Sequence, residues 1–213
     1  MHTENKSCKD GVHKIVLGDF YAEESRDVLF EVTLASASNG SIPIPHVICK
    51  VDYVDVVQKR IVNTSNPVTA SIARPSGSEV APSNHHVATQ WLRIGACDAM
   101  KEADALSSQG KFGQARAVIQ KCLEAIRRET AEGVRSDPLT IQLINDLNES
   151  LQGLADKHTW SATGEMRMQT KLYSHARQRC YESVASPVPS TTYGTRSKKT
   201  RSLKFQAATS PKK

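Results

Sequence analysis

The chain has 213 residues, a formal net charge of +6, 38% hydrophobic residues and only 5% aromatics. That length suits one ordinary domain or two small ones, and no apolar run approaches the ~20 residues needed to cross a bilayer. The opening MHTENKSCKDG lacks the apolar core of a secretory leader, and five scattered cysteines (Cys8, Cys49, Cys97, Cys122, Cys180) form no CxxC pair. Together these argue against a disulfide scaffold or zinc ribbon and for a reducing compartment, cytoplasmic or nuclear.

Charge is concentrated at one end. Residues 1–82 carry a net −2, residues 83–185 a net +1 and residues 186–213 a net +7. The basic character therefore belongs to the tail, and the part rich in apolar residues is close to neutral.

Residues 1–11 are polar and read as a loose terminus. Residues 12–17 (VHKIVL) read as a strand, followed by the polar connection GDFYAEESRD, with Gly18 and Asp19 as turn formers. Residues 28–34 (VLFEVTL) read as a second strand through their β-branched residues, and ASASNGSIPIP as a long loop carrying the Asn39-Gly40 turn dipeptide. Residues 46–57 alternate, with Val47, Cys49, Val51 and Tyr53 on one face, which predicts a strand with one buried side. Residues 58–73 hold one or two weaker strands. The segment 12–73 is thus expected to be an antiparallel β unit, sandwich-like, and the Pro/Ser/Gly-rich stretch 74–85 a linker.

Beyond the linker the period becomes helical. Leu92, Ala96, Ala99, Ala103 and Leu106 form one stripe, widened by Trp91 and Ile94 and closed by Gln109-Gly110. Phe112, Ala115, Ile119, Cys122 and Ile126 form a second, ending near Gly133. Asp137-Pro138 offers an N-cap and a first-turn proline for a third helix, whose stripe is Ile144, Leu147, Leu151 and Leu154 with Leu143 beside it. Residues 164–183 read as one more short helix. The expected fold class is α+β: a β-sandwich-like unit, then a three- to four-helix antiparallel bundle over 86–183. Residues 184–213 are short of apolar side chains and read as a disordered basic tail.

VLGDFYAEESRDVLFEV (residues 16–32) resembles a segment that follows the metal-binding domain in intracellular von Willebrand factor A-domain proteins. These include plant RING-finger ubiquitin ligases of that architecture and A-domain proteins carrying a hedgehog/intein-like domain. Gly18, Asp19, Tyr21, Ala22, Glu23, Glu24, Arg26 and Asp27 carry the match. A helical hairpin like 87–130, with Gly110 and Ala115 at its turn, and a segment like LYSHARQR (172–179) extend the resemblance over about residues 12–180. It implies the accessory region of such a protein, β-sandwich plus helices, standing as a fragment or truncated product. The A domain itself, its D-x-S-x-S metal loop and the RING cysteines are absent from this sequence, so ubiquitin-ligase activity does not carry over.

No residue pattern points to catalysis or a cofactor. Adjacent Glu23-Glu24 and Arg26-Asp27 read as a local salt bridge or register device, because acid–base pairs act from opposite walls of a cleft. His85-His86 has only Glu79 as a nearby carboxylate, too little for a metal site. Cys49, Cys97 and Cys122 read as small buried hydrophobes, and Trp91, Phe112 and Tyr53 as core anchors without a Gly-rich phosphate loop. The helix pair 92–130 resembles a single tetratricopeptide-like unit, although packing of the pair on the β unit is the plainer reading. In the tail, Arg196, Lys198, Lys199, Arg201, Lys204, Lys212 and Lys213 are the anion-contacting candidates, and Ser210-Pro211 is a proline-directed phosphorylation pattern. The sequence thus supports a non-enzymatic protein-interaction module with no cofactor and an unidentified protein partner. The alternative is a nucleic-acid- or chromatin-associated protein acting through the tail alone.

Overall fold

A computed structural model describes residues 6–9, 12–33, 40–63, 66–74, 83–129, 131–180, 192–197 and 200. The protein is mixed α and β, with short antiparallel strands and a larger helical part. It divides into two compact units, residues 1–29 with 83–213, and residues 30–82. Residues 12–29, read from sequence as the start of the β unit, therefore belong with the helices.

In the first unit β1 (Lys6–Lys9) pairs antiparallel with β2 (Val12–Ile15). A strand thus occupies part of the terminus read as loose, because Cys8 and its neighbours find Val12–Ile15 as a partner. Residues 28–33 enter no ladder among the described residues, contrary to the β-branched pattern. Strand propensity needs a partner to act on, and the N–H and C=O of Asp27 that would open such a ladder are both taken by the Gln178 side chain (2.8 and 2.7 Å).

The helices are α1 (His85–Ser108), α2 (Phe112–Arg127), a single turn α3 (Glu132–Arg135), α4 (Pro138–Gly153), a short α5 (Lys157–Thr159) and α6 (Glu165–Arg177). A π-helical turn over Trp160–Gly164 joins α5 to α6. Their limits follow local chemistry. The Asn84 side chain accepts from the N–H groups of His86 and Val87 at the start of α1, and Asp137 accepts from Leu139 at the start of α4, with Pro138 in the first turn. Gly110 lies at φ +75° just past α1, the left-handed position a β-carbon disfavours. The second helix stops at Arg127 rather than near Gly133, which lies in α3.

The apolar stripes meet in one core of Ala96, Met100, Ala103, Ala115, Ile119, Leu123, Ile126, Leu143, Leu147, Leu154, Trp160 and Met168. Each fully buried Leu or Ile there contributes roughly 1.5–3 kcal/mol. The expected stripes hold, with shifts of one position: Leu123 is buried where Cys122 is half-buried, and Leu143 is buried where Ile144 is partly so. α1 and α2 pack on each other and on α4. One expected anchor is corrected here: Trp91 is 49% exposed, and Trp160 from the π-turn, which the sequence reading did not single out, is the buried tryptophan, edge-on to Phe112 at 6.5 Å.

In the second unit β3 (Gly40–Cys49) pairs with β6 (Val68–Arg74), and β4 (Asp52–Asp55) with β5 (Arg60–Asn63), both antiparallel. The inner ladder lies between the two strands of the outer one in sequence, so the unit is a nested hairpin. Gly40, expected in a turn, opens β3; Asn39 lies outside the described residues. Pro43 and Pro45 are tolerated within β3 because register shifts interrupt the ladder there, and among the described residues β3 pairs on one side alone. The Asp55 carboxylate accepts from the N–H groups of Val57 and Gln58, both at 3.0 Å, and Lys59 turns the chain at φ +52°. The expected buried face is not formed. Tyr53 is 53% exposed, Cys49 and Val51 are exposed, and the strand read as 46–57 breaks at Lys50-Val51. A two-stranded hairpin has no second layer to bury such a face against.

Candidate functional site

The segment between β2 and residue 28 is an ordered loop built around Glu24, whose side chain is only 2% exposed. Gly18 (φ +71°) and Glu23 (φ +67°) reverse the backbone on either side. Within it, Glu24 Oε2 accepts from Tyr21 N–H (3.2 Å) and pairs with Arg26 at 3.3 Å and Arg179 at 2.9 Å. Arg26 also donates to the carbonyls of Leu17 (2.6 Å) and Asp19 (3.2 Å), and Arg179 to that of Asp19 (2.7 Å). The Arg26 guanidinium lies 4.6 Å over Phe20, and that of Arg179 4.8 Å over Tyr21. The Asp27 carboxylate meets His86 Nε2 at 3.0 Å, so one of the two adjacent histidines, which open α1, has a carboxylate partner. Ala22 is exposed at the turn.

The loop is seated on the C-terminus of α6. Gln178 sits at φ +49°, and the helix closes with Arg179 N–H to Ser174 O and Gln178 N–H to His175 O. A left-handed conformation costs a residue other than Gly about 1–2 kcal/mol. The two hydrogen bonds of the Gln178 amide to Asp27 offset that cost. The motif residues are therefore joined to residues 178 and 179, the end of the second segment of the resemblance, across more than 150 positions of sequence.

A second polar cluster lies beneath. His175 is fully buried; its Nε2 meets Asp146 at 2.8 Å and its Nδ1 meets the Tyr193 hydroxyl at 3.1 Å. Lys171 pairs with Asp146 at 3.3 Å and with Glu149. Buried Arg93 donates to Gln90 (2.6 Å) and to the His175 carbonyl (3.0 Å), placing a cation at the negative end of α6. Burial pushes the Asp146 carboxyl upward, but the hydrogen bonds and charges of His175 and Lys171 outweigh it and hold the group below its usual range. Burial pushes the Tyr193 hydroxyl up, and the Cys97 thiol up to about 11, leaving Cys97 an unreactive core thiol.

Tyr193 belongs to the stretch expected to be disordered. Residues 192–197 are instead placed: Thr192 hydrogen-bonds Gln142, Tyr193 packs on the core, Thr195 is buried, and Arg196 N–H donates to Glu23 Oε2 at 2.9 Å. One aromatic anchor supplies the apolar burial that the tail's composition otherwise lacks. Arg196 thus contributes its backbone here. Lys198, Lys199, Arg201, Lys204, Ser210, Lys212 and Lys213 lie outside the described residues.

Among the described residues no group of three His, Cys, Asp or Glu side chains could hold a metal ion, and no helix is long and apolar enough to cross a membrane. Comparisons with models of known protein families, with curated proteins and with solved structures returned no match.

The residues missed from sequence are His175, Asp146, Lys171, Arg93, Gln178 and Tyr193. A signal existed for three of them, Asp146, Lys171 and His175. Asp146 and Glu149 on α4, and Lys171 and His175 on α6, are spaced i,i+3 and i,i+4, so each pair shares a helix face beside an apolar stripe.

Glu24 gives the sharpest local test. Glu24→Ala leaves Arg26 and Arg179 facing each other without their carboxylate and is expected to cost roughly 3 kcal/mol, since breaking a buried pair strands its partners. Glu24→Gln retains hydrogen bonding and is expected to cost about half as much. Urea denaturation of both variants measures this; equal stability of Glu24→Ala and the parent would refute the central role given to Glu24.

Proposed function

We propose that this chain is a non-enzymatic accessory module, of the kind found in intracellular von Willebrand factor A-domain proteins, that binds a protein partner. One observation carries the reading: the two segments on which the resemblance rests are bound together by Glu24, Arg179, Gln178 and Asp27. In this reading Gly18, Asp19, Tyr21, Ala22, Glu23, Glu24, Arg26 and Asp27 are structural, and the helices form an antiparallel bundle. The nested hairpin, whose described strands pair two by two and expose Ile48, Val54, Val57 and Ile61, is one part of a sandwich that strands of the partner complete.

The test is calorimetric titration of the full chain with an isolated A domain from a protein of this architecture. A second arm uses duplex DNA, and both arms are repeated with Lys198, Lys199, Arg201, Lys204, Lys212 and Lys213 changed to Gln. The proposal expects saturable binding to the A domain that the six substitutions leave unchanged. Binding to DNA alone, steep in salt and abolished by the substitutions, overturns it in favour of a nucleic-acid protein acting through its tail.

A further inference from the structure

We propose that the slot filled by Tyr193 is a binding site for a tyrosine-bearing peptide, kept closed in this chain by its own residues 192–196. The walls come from the helices and are bonded to one another without help from the segment. Asp146 of α4 fixes His175 of α6 through Nε2, Lys171 holds Asp146 from the other side, and Arg93 of α1 holds the His175 carbonyl. That arrangement leaves one polar atom of the buried imidazole, Nδ1, to be met by the incoming chain. The Tyr193 hydroxyl meets it, with the phenol ring edge-on to the imidazole at 5.7 Å.

The remaining grips sit on either side of the anchor. Gln142 holds the side chain of Thr192, one residue before the tyrosine, and Glu23 takes the N–H of Arg196, three residues after it. Residue 194 is Gly, so nothing between the anchor and Thr195 demands more room than a small side chain. One aromatic anchor, with hydrogen bonds to the flanking chain, is how short peptides are held. The chemistry recognised is therefore a hydroxyl-bearing residue, a tyrosine, a small residue, and a free backbone N–H three positions beyond the tyrosine.

The occupant in place is an intramolecular one. Residues 181–191, between Cys180 and Thr192, read YESVASPVPST, a tether of small and proline-rich composition. A tethered segment acts at an effective concentration on the order of millimolar, so a free peptide must exceed that to displace it. Occupation in cis thus sets a threshold that a partner presenting the same residues must overcome.

The experiment uses a fluorescein-labelled peptide of residues 190–197 and the full-length chain, read by fluorescence anisotropy. In Tyr193→Ala the slot is open, and the peptide is expected to bind at least ~10-fold more tightly than to the parent chain. Replacing tyrosine by phenylalanine in the peptide is expected to cost that complex about 10-fold, because the imidazole Nδ1 is then left unpaired. Arg196→Pro removes the N–H held by Glu23 while keeping Tyr193, and is expected to give an intermediate gain. It carries the same test if Tyr193→Ala loses its helical circular dichroism. Variants that keep their helical signal yet bind the peptide no more tightly than the parent overturn the proposal and leave the segment a purely structural strap.

Discussion

Gly164→Ala is expected to lower the melting temperature by roughly 6–12 °C, from about 3 kcal/mol of overpacking at about 2–4 °C per kcal/mol for a chain of this size. Gly164 ends the π-turn against Gly153 at the end of α4. A β-carbon on Gly164 would stand 2.6 Å from the Gly153 carbonyl oxygen and 3.1 Å from Cε3 of buried Trp160. The first of these is backbone and cannot swing aside. The backbone of Gly164 is already helical (φ −59°, ψ −50°), so alanine also brings a propensity gain of up to about 1 kcal/mol, which works in the opposite direction and is outweighed. Gly153→Ala meets Gly164 Cα at 3.0 Å and is expected to lose less. Thermal melts followed at 222 nm rank the two. A Gly164→Ala chain as stable as the parent would mean that α4 and the π-turn are not held this closely.

Asp146→Ala is expected to cost about 3–4 kcal/mol, because it strands buried His175 and nearly buried Lys171 together. Asp146→Asn keeps one acceptor for His175 but loses the charge, and belongs between Ala and the parent. The pH dependence has a defined sign. Asp146 ionises more readily in the folded chain than at its ordinary value of 3.8. Its stabilisation is therefore complete above that value and drains away as pH falls toward the lower, folded one. Urea midpoints between pH 6 and pH 2 should show the parent losing its advantage over Asp146→Asn below about pH 4. Parallel curves for the two chains would remove Asp146 from the account.

The helical unit was largely legible in the sequence, and the hairpin was not, for one physical reason. A helix satisfies its own backbone and shows its buried side by period, so Ala96, Ala103, Ile119 and Leu147 announced themselves. The N-cap Asp137 and the closing Gly110 are local devices of the same kind. A strand shows its pattern whether or not a partner is there, so residues 28–33 read as paired without entering a ladder, and the face of Val51 and Tyr53 reads as buried although it is exposed. The Glu24 loop was found through its motif, but its partner Arg179 is 155 residues away, and no local pattern encodes that meeting. Tyr193 was hidden by its company: a single anchor among Ser, Thr and Lys does not alter the average that marks a segment as disordered.

The seating of the Glu24 loop on Arg179 has a consequence for how the chain is made. The hairpin of residues 30–82 is an insertion in a body whose opening residues cannot finish folding until α6 has been synthesised. On the ribosome, at about 5–20 residues per second, Asp19 and Glu24 wait several seconds or more for Arg179. During that time Tyr21 lacks the Arg179 guanidinium that lies over its ring, and the hairpin, which needs only its own strands to pair, is free to form first. Loop-closure entropy grows only logarithmically, each doubling adding about 0.6 kcal/mol, so the length of the insertion itself adds little to the cost of bringing Glu24 to Arg179.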